Sequence, residues 1–252
     1  MCIFTGRVRE VAATRIFARM LRPGTQCLAY EAKVGADRDV AMVLALPVDP
    51  RAGEDAVRFI DLSGAGASRL FADLQRLFRA PPRWLAARKG GAANGTMLAV
   101  HDVGDYEASY VPTGDDFARL DRRFRLSQRL VRALRRRGER GYAVFKLRAS
   151  DDGTARRLHP LGLSFRTSEP GALFFPTVHV HERELTETAH FDHVLYAQGA
   201  SFPRGRAGHT APDAFLARRS RGIVAADERV YRLGLRGERD NDDVRVPLRA
   251  RR

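Results

Sequence analysis

The chain has 252 residues, 44% of them hydrophobic and 29% charged, the balance of a globular protein able to bury a substantial core. No apolar run approaches the length of a membrane span, and the first residues, Met-Cys-Ile-Phe-Thr-Gly-Arg, lack the charged-then-apolar order of a secretory signal. Cys2 and Cys27 are the two cysteines, too few for a disulfide framework, so a cytoplasmic protein with free thiols is expected.

The formal net charge is +14, yet only Lys33, Lys89 and Lys146 of its 44 basic residues are lysines. Lysine, isoleucine and asparagine use AT-rich codons and are all scarce here, so GC-rich coding accounts for part of the arginine excess. The charge is also localised. Residues 119–140 carry ten arginines against Asp121 and Glu139, and residues 201–252 carry thirteen against seven acids. The Arg119–Arg140 stripe is a candidate surface for an acidic partner or for nucleic acid, whose binding would be salt-dependent. No recognition motif or aromatic stacking platform accompanies it, and a solvated basic face is the simpler reading.

In chain order, Cys2 to Thr5, Thr14 to Met20 and Gln26 to Val34 read as strands. Val40-Ala-Met-Val-Leu-Ala-Leu46 is a continuous apolar run that ends at Pro47, the pattern of a buried central strand. Ser68 to Phe78 has helical spacing at Leu70, Phe71, Leu74, Leu77 and Phe78, with Pro81-Pro82 beyond it. The Gly-rich stretch 86–96 reads as a loop. Met97 to Val103 and Tyr106 to Val111 suggest a hairpin about Gly104-Asp105. A short helix follows Gly114, and Leu126 to Arg137 predicts a second with Leu126, Leu130, Ala133 and Leu134 inward. Tyr142 to Leu147, Leu158 to Phe165, Leu173 to His181 and Phe191 to Ala197 continue as strands, with Val230 to Leu235 a late one. These elements predict an α+β fold, with a mostly antiparallel sheet and a few helices grouped mid-chain. Residues 1–198 are expected to form one domain. Residues 199–252 are expected to be a C-terminal extension packed on it, with a frayed basic end.

Four of the seven histidines fall between Thr177 and His193, in Thr-Val-His-Val-His-Glu-Arg-Glu-Leu-Thr-Glu-Thr-Ala-His-Phe-Asp-His. On a strand His179 and His181 share a face, roughly 6.6–6.8 Å apart at Cα, so both could reach one ion. If Phe191 to Ala197 returns antiparallel as a hairpin, one register sets His190 and Asp192 beside them. A shift of one residue sets Phe191 and His193 there instead. Imidazole and carboxylate at this density suit a divalent metal, zinc or non-haem iron, or an acid–base site. The metal set is His179 and His181 with Asp192 or His193, weighed against partly exposed strand histidines with no function. The HxH resembles that of the cupins, but Leu185 and Thr186 stand where that family has its glutamate, so the assignment is not carried over.

Cys2 is the second candidate. If Met1 were removed, its thiolate could act as a nucleophile with its own α-amino group as base. That arrangement resembles cysteine N-terminal-nucleophile amidohydrolases, in which Arg15 or Arg19 would be the arginine partner. Two departures count against it: the chain reads Cys-Ile-Phe rather than Cys-Gly-Ile, and its first aspartate is Asp37. Ser63-Gly-Ala-Gly-Ala-Ser68 precedes a helix without a P-loop lysine and reads as a loop.

Several segments together are similar to an uncharacterised bacterial protein family. They are Met1-Cys-Ile-Phe, Ala41-Met-Val-Leu-Ala-Leu-Pro47, Phe174-Phe-Pro-Thr-Val-His-Val-His181 and Phe191-Asp-His-Val-Leu-Tyr196. The resemblance implies a bacterial source and one compact fold, and it transfers no activity. Function therefore stands as three alternatives: a histidine-site enzyme, a cysteine amidohydrolase or a basic nucleic-acid-binding protein.

Overall fold

Seven apolar residues in succession can be satisfied only where both faces of a strand are covered. In the computed structural model Val40–Leu46 forms β4, and all seven residues are buried. The structure describes residues 2–64, 66–79, 102–103, 106–136, 138, 141–149, 154–180 and 184–248. The loop read at 86–96, the predicted turn at 104–105 and His181 lie outside them.

β4 sits inside a six-stranded sheet with β1 (Cys2–Phe4), β6 (Asp102–Val103), β7 (Tyr106–Val111), β8 (Gly141–Leu147) and β12 (His179–Val180). The order is β12-β1-β4-β8-β7-β6, antiparallel except where β1 runs parallel to β12. A second sheet runs β14-β15-β13-β2-β3-β10-β5. Its strands are β2 (Glu10–Arg22), β3 (Thr25–Gly35), β5 (Val57–Ile60), β10 (Leu161–Arg166), β13 (Thr188–Ala197), β14 (Arg206–Ala207) and β15 (Tyr231–Asp240). β9 (Arg156–Arg157) adds to β3, and β11 (Ala172–Phe175) pairs with β16 (Val244–Pro247). The fold is α+β, with mostly antiparallel sheets.

Strand alternation divides the core into layers. Val40, Met42, Leu44 and Leu46 face the second sheet, where Ile16, Leu28, Tyr30, Leu163, Phe165 and Leu195 join them. Ala41, Val43 and Ala45 face the other way, toward Leu130, Val131 and Leu134 of α2 (Gln128–Arg135). On the far face of the second sheet, Phe17, Cys27 and Ala29 meet Leu70, Phe71 and Leu74 of α1 (Leu70–Arg76) and Leu216 of α3 (Ala214–Arg219). The layers thus run helix, sheet, sheet, helix. Each large apolar side chain fully buried in them contributes roughly 1.5–3 kcal/mol.

Three of the predicted elements that differ in extent do so for a local reason. The helix read over 126–137 starts at Gln128, because Ser127 caps it by accepting the Leu130 N–H at 3.3 Å; Leu126 remains buried just before it. The helix read over 68–78 opens as a 3-10 turn at Ala67–Arg69 and is α-helical only over Leu70–Arg76. The strand read over 173–181 breaks between β11 and β12, at a segment that begins with Pro176, which has no N–H to give a ladder.

Residues 199–248 are woven into both the sheet and the helical layer. β15 pairs with β13 at ten successive positions, from Thr188↔Asp240 to Ala197↔Tyr231. No helix among the described residues is long and apolar enough to cross a membrane.

Candidate functional site

The predicted 179–193 hairpin does not form. β12 lies at the edge of the first sheet, beside β1, whereas β13 lies inside the second sheet, between β15 and β2. Neither antiparallel register considered from the sequence applies, because the two strands are not neighbours. They meet face to face instead. His179, 6% exposed, and His193, 1% exposed, approach with their Nε2 atoms 3.2 Å apart.

Parity on β13 explains which histidine enters. Ala189, Phe191, His193 and Leu195 are buried, while Thr188 and His190 are exposed and Asp192 and Val194 are intermediate. The inward face is apolar at every other position, and His193 is carried inward with it. His190 points to solvent on the opposite face. Phe191 packs edge-on to His179, with ring centroids 4.7 Å apart, and stands 5.2 Å from the His193 ring. The two histidines are thus held in an aromatic corner.

β12 is only two residues long, and its position depends on the 241–244 turn. Asn241, 1% exposed, accepts the His179 N–H through Oδ1 at 2.7 Å and donates from Nδ2 to the His179 carbonyl at 2.8 Å. Asp243 Oδ1 accepts the N–H groups of Thr177 and Val178 at 3.0 and 3.2 Å. On its other edge, β12 places His179 in register with Cys2.

Asp192 reaches the cluster from the outside. Its carboxylate accepts the backbone N–H of Ala13, at a bulge where the β2–β3 register shifts between Ala12 and Arg15. Its Oδ1 stands 3.6 Å from His193 Nδ1, beyond hydrogen-bond length but close enough for electrostatic attraction whenever the ring is protonated. The His193 ring holds the Asp192 carboxyl down at about 2, against the opposing effect of burial and with help from the Ala13 and Thr14 amides. Burial pushes His193 the other way, below the usual imidazole value, and Asp192 only partly offsets it.

With a neutral His193 ring protonated on Nδ1, the side of Asp192, Nε2 is a lone pair facing His179. The chain Asp192, His193, His179 therefore runs from a half-exposed carboxylate into the interior. It can hold a proton or a cation between the two Nε2 atoms. Of the predicted metal set, the structure brings together His179, His193 and, behind them, Asp192. Among the described residues no group of three potential ligands converges on one point. Asn241, which sets the position of His179, was missed in the sequence; a lone Asn before Asp-Asp reads there as a turn.

The arginines named as partners for Cys2 are engaged elsewhere. Arg15 pairs with Glu31 at 3.4 Å, and Arg19 donates to the carbonyls of Ile223 and Gly222 at 2.6 and 2.7 Å. In the basic stripe, Arg122, Arg125, Arg129, Arg132, Arg135 and Arg136 are exposed. Arg135 bonds Asp115 at 2.6 Å, and Arg129 lies 3.7 Å from Glu184.

No family model matches the chain, and no curated protein matches it. The fold is similar to that of a solved structure, the crystal structure of baculovirus P35. That likeness has a TM-score of 0.51 at 13% identity and covers 98% of this chain and 99% of P35. A mutated baculovirus P35 after caspase cleavage aligns at TM-score 0.46 and 12% identity, over 94% of this chain and 100% of that one. P35 in the caspase-8/P35 complex aligns at TM-score 0.46 and 12% identity, over 94% and 96%. The chain has a P35-like fold.

Proposed function

We propose that this chain is a peptidase-binding protein that acts as a P35-like scaffold rather than as an enzyme. The observation that carries the reading is the end-to-end likeness to P35, 98% of one chain over 99% of the other. P35 forms a complex with caspase-8 and a mutated P35 is cleaved by a caspase, so the partner class we propose is a cysteine peptidase. The burial of the histidine pair favours binding over catalysis, since a substrate needs access that side chains 6% and 1% exposed do not give.

The test is incubation of the purified chain with cysteine peptidases of differing specificity, among them aspartate- and arginine-directed ones. Residual hydrolysis of fluorogenic peptides and co-elution on size exclusion are the readouts. Stoichiometric loss of activity with a co-eluting complex is expected for at least one peptidase. The reading fails if every peptidase keeps full activity, whether it ignores the chain or digests it as an ordinary substrate.

A further inference from the structure

Guanidinium groups gathered on one rim repel one another, so a cavity that collects several of them favours an anion that neutralises them. Three segments meet in this way at one end of the second sheet: the turn between β2 and β3, the stretch from Asp49 to Arg51, and the end of β10. Together they line an open cavity of about 650 Å³. Backbone hydrogen bonds join the segments beneath it, from the Thr167 N–H to the Gly24 carbonyl at 3.0 Å and from the Asp49 N–H to the Arg166 carbonyl at 2.9 Å. Arg22, Arg51 and Arg166 therefore rise from a backbone that is already stitched together.

Donors remain free at every corner. Arg51 gives Nε and one Nη to Asp49 at 3.1 and 3.2 Å, which fixes its guanidinium and leaves its other N–H groups unused. Among the described residues Arg22 bonds through Nε alone, to Thr25 Oγ1 at 3.3 Å, and the Arg166 guanidinium has no hydrogen bond or ion pair. Thr25 and Thr167 each accept an N–H, from Arg22 and, at 3.0 Å, from Glu169, and each keeps a hydroxyl proton to donate. Hydrogen bonds from Arg51, and more weakly the charge of Arg166, hold the Asp49 carboxyl below its ordinary value, so it stays ionised. Three guanidiniums against one carboxylate leave the lining at a net +2.

We propose that this cavity binds the phosphate group of a small phosphorylated ligand. A phosphate monoester carries about −1.5 to −2 at neutral pH, which matches the charge of the lining, and it offers three acceptor oxygens to the guanidinium and hydroxyl donors. The volume falls within the roughly 300–1,000 Å³ of small-molecule sites, enough for the phosphate and the group that bears it. The arginines of the exposed stripe on α2 lie along one segment, whereas these three are brought together only by the fold. This inference stands apart from the peptidase reading and is tested without any peptidase.

The experiment is calorimetric titration of the full chain with glycerol 3-phosphate and with inorganic phosphate, in chloride buffers of constant ionic strength at pH 7 and pH 5. One equivalent of glycerol 3-phosphate is expected to bind at pH 7, with inorganic phosphate competing for the same site. Affinity should fall several-fold at pH 5, because the second phosphate proton, with a pKa of about 6, returns while Asp49 stays ionised. Arg51→Gln and Arg166→Gln should each weaken binding about tenfold or more, the usual cost of losing a hydrogen bond to a charged group. Both side chains are exposed, so neither change disturbs the core. Arg129→Gln with Arg132→Gln, on α2, should leave binding unchanged. The proposal is overturned if the wild-type chain binds no stoichiometric glycerol 3-phosphate, or if Arg166→Gln binds it as well as wild type. It is also overturned if the α2 variant loses as much affinity as Arg166→Gln. Binding of a single-stranded oligonucleotide where neither small phosphate binds would overturn it in favour of a nucleic-acid surface.

Discussion

The side-chain amide of Asn241 takes both backbone hydrogen bonds of His179, standing in for the neighbouring strand that the edge strand β12 lacks. Two other buried amides do the same elsewhere. Gln26 accepts the Phe174 N–H at 2.9 Å and donates to the Phe174 carbonyl at 2.7 Å, which fixes β11. Gln198 accepts the Ala225 N–H and donates to the Ala225 and Glu228 carbonyls, fixing the loop after α3. In each case one amide satisfies both the donor and the acceptor of a segment too short or irregular for a ladder of its own.

Replacing Asn241 with Leu should therefore leave the N–H and C=O of His179 buried without their partner. At roughly 1–3 kcal/mol for each orphaned group, and with some relaxation, a loss of about 2–4 kcal/mol is expected. Urea denaturation measures it as a lowered midpoint at unchanged slope. A loss below about 1 kcal/mol would mean that water or a neighbour replaces the amide, and that Asn241 does not hold β12 in place.

Much of the layer structure is legible in the sequence, because burial imposes a period. The run Val40 to Leu46 announces a strand covered on both faces, and Ala189, Phe191 and Leu195 at alternate positions announce the inward face of β13. That same parity carries His193 inward. Which strands become neighbours is not legible. His179 and His193 are fourteen residues apart, yet the seven residues between β12 and β13 include no Gly, Asn or Pro, and the two strands belong to different sheets. The partners of β13 are β2, nearly 180 residues away in sequence, and β15. Such pairings are chosen by the whole core rather than by any local signal.

Glu31 provides a pH test. It is 4% exposed, with Oε2 2.8 Å from Arg157 and 3.4 Å from Arg15. Burial raises its carboxyl above the ordinary value, and the two arginines only partly oppose this. A folded-state pKa above the unfolded value means that the folded protein holds the proton more tightly. The resulting stabilisation is complete below the unfolded value and is lost as pH rises through the folded one. Glu31→Gln cannot ionise and removes this dependence. The melting temperature of the variant relative to wild type should therefore be higher at pH 7 than at pH 4. A gap that is the same at both values would show that the arginines fully compensate the burial.

Cys27 should be chemically silent while the chain is folded. It is fully buried, its Sγ stands 3.6 Å from the Ile223 carbonyl, and burial pushes its thiol up to about 12, against the pull of Arg19. At pH 8 the thiolate fraction is on the order of one in ten thousand. Iodoacetamide treatment followed by peptide mass analysis should find Cys27 unmodified in the native chain and fully modified in denaturant. Modification of Cys27 in buffer at the rate of a free thiol would indicate that the layer of α1 and α3 opens readily.

Ala13 provides the test of the bulge beside the histidine pair. Its φ is +52°, a left-handed conformation that costs a residue with a Cβ roughly 1–2 kcal/mol, and its N–H is accepted by Asp192. Glycine removes that steric cost but loses more chain entropy on folding, by roughly 0.5–1 kcal/mol. Ala13→Gly is thus expected to stabilise the chain by about 0.5–1 kcal/mol. Asp192→Ala is expected to destabilise it by about 1–2 kcal/mol, since it removes a charged acceptor from a partly buried amide. A double-mutant cycle then separates the two roles of the carboxylate. If Asp192 acts mainly by holding the bulge, its loss should change in size when residue 13 is glycine, with a coupling of at least about 0.5 kcal/mol. Strict additivity would mean that the bulge keeps its shape without Asp192, and that the carboxylate acts through His193 instead.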